Sequence, residues 1–291
     1  MATVTRSRIV GQRPIEARST RDRDLLASFL RRDRIFAAYA IADLDDREFP
    51  RTRWGVAFEA DEPVAVAMEY RGLSPQPLFV MGLPEGVRAA LEHVIHPRIA
   101  YVAALPDVAR AMGELYRLEA PAEMVRMVVD RDTFKPFAGP AERLSALDID
   151  DLNRLYQLGF RAGFPPSVLE EGVYFGVRVR GRLVSAAGTH AVNVREGIAV
   201  VGNVMTHVDF RGHDFAKMVT SSVTAELLDR VGDVALNVHH DNDPAVAAYT
   251  RLGYRTHCQL IERLVRRRAG GWGLMRPIRE AMRFPWPRES R

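Results

Sequence analysis

The sequence predicts a mixed α/β chain built as two halves of similar plan. Three observations lead there. A chain of 291 residues exceeds what one small core organises. Short apolar runs of strand length alternate with amphipathic helical patterns. The order of those patterns then recurs after a linker holding Lys135-Pro136 and Gly139-Pro140.

In the first half, residues 25–31 and 35–44 have helical spacing. "RWGVAFEA" and "PVAVAMEY" read as strands around the turn-like "DEP", and "PLFVMG" is a third apolar run. Pro84 suits the first turn of a helix over 85–95. "RIAYVAAL" is a strand, 107–118 a helix and "EMVRMVVD" a strand. The second half repeats this order. A helix at 148–158 precedes "GVYFGVRV", which turns at Arg180-Gly181 into "RLVSAAGTHAV". "IAVVGNVMTH" follows, then the loop "VDFRGHDFA" and a helix over about 213–230 with a stripe of Phe215, Val219, Val223 and Leu227. "DVALNVHH" is a strand, "DPAVAAYTRL" a helix and "RTHCQLIERLV" a final strand. The halves share element order and no residue-level repeat.

Composition narrows the function classes. Apolar residues make up 47% and charged residues 27%, ordinary for a soluble globular protein. No apolar run nears the roughly 20 residues of a membrane span, and the first residues lack a signal-peptide core, so cytoplasmic residence is the expectation. Cys258 is the single cysteine, which excludes an intrachain disulfide and a cysteine-rich metal site. His239 and His240 are adjacent on a strand and point to opposite faces, so no metal is expected there. The net charge of +4 is modest and its densest cluster, "RLVRRR", is short, so neither nucleic acid nor membrane is an expected partner. The aromatic tail residues Trp272, Phe284 and Trp286 are expected to pack on the body or on a second subunit, with a homodimer among the assemblies allowed.

The loop Arg211-Gly212-His213-Asp214-Phe215-Ala216 combines features that suit an anion. A helix start leaves N–H groups without partners and carries partial positive charge. Gly212 permits close backbone approach, Arg211 adds a cation and Ala216 is small. Asp214 is the anomaly, since a carboxylate repels phosphate unless turned away; capping the helix by accepting a backbone N–H would turn it away.

With "NVMTHVDFRGHDFA" before it and "NVHHDNDPAVAAYTRLGY" after it, this loop resembles the GNAT superfamily of acyl-CoA-dependent N-acyltransferases. Arg211 and Ala216 fit the family's Gln/Arg-x-x-Gly-x-Gly/Ala loop, with Asp214 in place of the central glycine. Asn242, Ala245, Tyr249, Gly253 and Tyr254 fit its later pattern. The resemblance implies two GNAT-like domains, each a mixed, mostly antiparallel sheet flanked by helices: a degenerate one over 1–135, one with the CoA site over 136–266, and a basic extension over 267–291. It implies acetyl-CoA as acyl donor and a small-molecule or peptide amine as acceptor. The main-chain groups of Val204, Met205 and Thr206 would pair with the pantetheine arm, and the Val204 N–H would polarise the thioester carbonyl. Residues 211–216 would hold the diphosphate, Asn242 and Ala245 would lie along the arm, and Tyr249 would protonate the departing thiolate. Glu170, Glu171, His190, His207 and Asp209 lie near enough to be considered as base, and none is singled out. A CoA-sensing module without turnover and an interaction scaffold are the alternative readings.

Overall fold

The computed structural model describes residues 14–157 and 163–268. The first half runs β1 (Ile15–Thr20), α1 (Arg23–Leu30), α2 (Ala38–Ala42), β2 (Thr52–Glu59), β3 (Glu62–Tyr70), β4 (Gln76–Gly82), α3 (Pro84–His93), β5 (Ile99–Ala104), α4 (Pro106–Ala111), β6 (Tyr116–Leu118) and β7 (Ala122–Asp130). The second runs β8 (Ala141–Arg143), α5 (Ile149–Leu155), α6 (Ser167–Glu171), β9 (Tyr174–Val179), β10 (Arg182–Asn193), β11 (Ile198–Thr206), α7 (Phe215–Leu228), β12 (Asp233–His239), α8 (Asp243–Arg251) and β13 (Arg255–Arg267).

All of these strands form one sheet in the order β1-β2-β3-β4-β5-β13-β7-β12-β11-β10-β9-β8, with β6 beside β13. The order is palindromic in kind. Each half contributes four antiparallel strands followed by one parallel pair, β4 with β5 and β11 with β12. At the centre the halves exchange strands. β7 of the first half pairs along β12, and β13 of the second pairs with both β7 and β5. The central ladders thus cross between halves, so neither half completes its sheet with its own residues.

Side-chain alternation places a core on each face. Val219, Val223 and Leu227 of α7 pack on Val201, Val234 and Leu236. On the opposite face Phe36, Ile41 and Trp54 bury with Val200, Ala235 and Leu260, so residues around α2 cover second-half strands. Arg126 on β7, 2% exposed, fastens this layer: it donates to Asn237 Oδ1 (2.8 Å), Ile35 O (3.2 Å) and Phe36 O. Arg31 forks onto Glu196 (2.7–3.0 Å) and Arg34 pairs with Asp233, again across the halves.

Several element expectations need correction. The helix over 107–118 stops at Ala111, passes through a 3-10 turn at Met112–Glu114 and becomes β6, because pairing with β13 outweighs local helical spacing. The helix over 35–44 shortens to α2. The edge strand β1 has only Ile15 and Ala17 as apolar residues, and β8 and α6 carry too few residues for a periodic signal. The tail with Trp272, Phe284 and Trp286 lies outside the described residues.

Candidate acyl-carrier site

β11 and β12 start as a parallel pair, 198–201 against 233–236, and then part. Beyond Val201, β11 stays on β10 alone. A bulge there sets Asn203 and Val204 against Ala187, and Asn203 adopts φ +52°. His207 N–H bonds to Val184 O at 2.8 Å on the β10 side. Strand alternation therefore turns the main-chain groups of Val204 and Thr206 toward the opened side. An unpaired strand edge of this kind is a template for an extended ligand.

The edge leads into the loop over 207–214 and α7. The amides of residues 212–217 have no protein acceptor among the described residues. Gly212 has φ +81° and nothing near its absent side chain, so the backbone is open to close approach. Arg211 is exposed with no ion-pair partner among the described residues. Its carbonyl accepts from His213 Nδ1 (3.0 Å), and the His213 ring stacks on Phe215 (5.5 Å).

Asp214 occupies the position before α7 in a left-handed conformation, φ +60°, and its side chain caps nothing. The expectation of a helix cap is corrected here. The carboxylate pairs instead with Lys217 Nζ at 2.9 Å, while Lys217, 7% exposed, lies 3.8 Å from the centre of the Phe137 ring. The reason is geometric: in the left-handed conformation the side chain turns from its own first-turn amides and finds a cation three residues on. The amides stay free, as an anion site requires. α8 contrasts with this. Asn242 accepts from Ala245 N–H (3.3 Å) and caps that helix.

Val204, Phe215, Ala245 and Tyr249 share one apolar layer beside the opened edge, whereas Met205 packs toward α5 on the other face. Tyr249 is 6% exposed, its ring 6.0 Å from that of Tyr254. Its hydroxyl has no hydrogen-bond partner among the described residues, and burial pushes its pKa up to about 12.

The opposite face holds a polar cluster that sequence reasoning missed. Asn203 is gripped at three polar groups: its carbonyl accepts from Tyr156 O–H, its Oδ1 from His190 Nε2–H (3.1 Å), and its Nδ2 donates to Tyr174 Oη (2.9 Å). Tyr39 of α2 completes the set, donating to His190 Nδ1 at 2.8 Å. Desolvation among these neighbours lowers the pKa of the His190 ring. Two strand glycines were the available signal. A side chain at Gly202 would stand 2.6 Å from the His190 ring, and one at Gly188 2.1 Å from the Tyr174 ring. Of the other base candidates, Glu171 pairs with Arg47 and His207 Nδ1 accepts from Asp209 N–H at 3.3 Å.

Asp43 follows Tyr39 by one turn at the end of α2, and its carboxyl has no hydrogen-bond or ion-pair partner among the described residues. Burial, then Glu48, pushes its carboxyl from an ordinary 3.8 to about 8. The folded chain thus holds this proton more tightly than the unfolded chain. The resulting stabilisation is present at low pH and is lost as pH rises toward that value. Asp43→Asn is expected to raise the melting temperature at about pH 9 and leave it nearly unchanged at about pH 4; calorimetric melts at both pH values check this.

Among its described residues the first half has no equivalent loop. Only Leu83 separates β4 from α3, and Pro84 removes an amide from the first turn. The concavity there is lined by Glu85 and Glu114 with Arg88, a poor setting for a diphosphate.

Residues 175–263, from β9 to β13, match the family model described as FR47-like protein. Solved structures match nearly the whole plan. A tandem GNAT protein from the clavulanic acid biosynthesis pathway aligns over 86% of this chain and 98% of its own, at 14% identity and TM-score 0.52. The fold is that of the GNAT superfamily. A Drosophila protein superposes with TM-score 0.64 at 12% identity over 86% of this chain and 98% of that one. A GCN5-related N-acetyltransferase from Sphaerobacter thermophilus superposes with 0.50 at 16% identity, over 86% and 95%. No curated protein matches the chain. In GNAT terms the model match covers the parted strands, the 207–214 loop and the Tyr249 helix, and leaves out Tyr156, Tyr174 and the base candidates Glu170 and Glu171. No described helix is long and apolar enough to cross a membrane.

Proposed function

We propose that the second half binds an acyl-CoA, with acetyl-CoA as the donor, and transfers its acyl group to a primary amine of a small molecule or peptide. The observation that carries this reading is the continuity of one opened strand edge with unbonded amides at 212–217. An acyl carrier needs both at once: an extended arm that pairs like a strand and a diphosphate at a helix start.

The chemistry follows from the same positions. The neutral amine attacks the thioester carbon, and the carbonyl oxygen takes negative charge. The Val204 N–H, on the open edge, donates to that oxygen. Collapse of the intermediate expels the thiolate, Tyr249 gives it a proton, and the proton shed to solvent by the amine nitrogen is made good on the tyrosine from solvent. A phenol near 12 is a weak acid for a thiol, but burial raises the thiol as well, which narrows the gap. No enzyme nucleophile is required.

Calorimetry with acetyl-CoA, followed by thiol release with a panel of amines, tests the reading. Saturable binding with amine-dependent release is expected; absence of binding contradicts it. Asp214→Gly provides a second test. It removes a negative charge from the loop, frees Lys217 for phosphate and relieves about 1 kcal/mol of left-handed backbone cost. The expected result is CoA binding tighter by about tenfold, most of it lost at high salt. Unchanged or weaker binding would show that Asp214 helps to build the loop.

A further inference from the structure

We propose that Tyr39, a residue of the first half, is a positioning residue for the acyl-transfer edge of the second. This rests on the reading of β11 as the edge that carries the thioester. The Val204 N–H and the Asn203 C=O belong to one planar peptide, so whatever fixes Asn203 aims the Val204 N–H. Asn203 needs fixing: at φ +52° it occupies a region that a non-glycine residue holds only when its surroundings oblige it.

The direction of the chain of bonds follows from its fixed members. Asn203 Oδ1 can only accept, so His190 Nε2 carries the imidazole proton and donates it there (3.1 Å). Nδ1 of the neutral ring is then bare and takes the Tyr39 O–H (2.8 Å). From the far side Asn203 Nδ2 donates to Tyr174 (2.9 Å), whose O–H reaches Thr189 O (3.3 Å). Removing the Tyr39 hydroxyl leaves Nδ1 without a donor and lets the ring turn toward other partners. Asn203 is thereby loosened. Tyr39 itself is held by its place on α2, beside the Arg126 guanidinium that lies 5.4 Å from its ring centre. The degenerate half would thus serve the acyl site through a single hydroxyl.

Valine-15N-labelled protein without ligand provides the first readout, with Val204 assigned through Val204→Ile. In Tyr39→Phe the Val204 amide resonance is expected to move while those of Val87 and Val219 stay. A Val204 amide that does not move overturns the proposal. Kinetics provide the second. Tyr39→Phe is expected to lower kcat about tenfold with the acetyl-CoA KM within about twofold. The double variant Tyr39→Phe/His190→Leu should be no slower than His190→Leu alone, because both act on one path. Additive losses would contradict the path. If wild-type protein fails to bind acetyl-CoA, the functional reading falls, while the amide readout still decides whether Tyr39 holds Asn203.

Discussion

Tyr249→Phe is expected to lower the kcat of thiol release about a hundredfold, the lower end of what a positioned proton donor contributes. The acetyl-CoA KM should change little, because the proton is needed only as the carbon–sulfur bond breaks. The substitution is structurally mild. The Tyr249 hydroxyl holds no partner among the described residues, and phenylalanine keeps the ring against Tyr254, so stability should stay within about 0.5 kcal/mol of wild type. The pH profile adds a sign. With its pKa raised to about 12, Tyr249 stays protonated through the neutral and mildly alkaline range, so kcat should not fall on its account there. A variant that releases thiol at the wild-type rate removes Tyr249 from the chemistry.

Arg126→Met should have the largest effect on stability. The guanidinium is buried and bridges Asn237 on β12 to the Ile35 and Phe36 carbonyls ahead of α2. Methionine fills part of the volume and leaves those two carbonyls and the Asn237 oxygen without this donor. Losing a buried charged donor to several acceptors costs about 3 kcal/mol, which for a chain of this size lowers the melting temperature by roughly 6–10 °C. The acyl site should feel it too, since Tyr39 is carried on the same helix. A melting temperature within a degree or two of wild type would show that the interface between α2 and the sheet does not depend on Arg126.

The sequence was most legible where structure is local. The loop with Arg211 and Gly212, the α7 stripe and the turn at Arg180-Gly181 are short-range patterns, and each stands where periodicity and turn chemistry put it. What lay beyond reach was non-local. Nothing in "EMVRMVVD" or "RTHCQLIERLV" tells that each strand will pair across to the other half, because both would read the same in a self-contained sheet. The stretch over 107–118 misled for the same reason: its end was claimed by β13. Asp214 misled differently. A capping residue type stood at the capping position, but its left-handed backbone and Lys217 redirected the carboxylate. The grip on Asn203 draws on α2, α5's flank, β9 and β10, and only the strand glycines Gly188 and Gly202 hinted at rings packed close by.

The most direct measurement is a crystal structure of the protein grown with acetyl-CoA. The account predicts the pantetheine arm between β11 and β12 along the edge that holds Val204 and Thr206, and the diphosphate on the amides of residues 212–217. Carrier density at the start of α3, or a site in which the Asp214–Lys217 pair blocks the loop and no carrier enters, would contradict it.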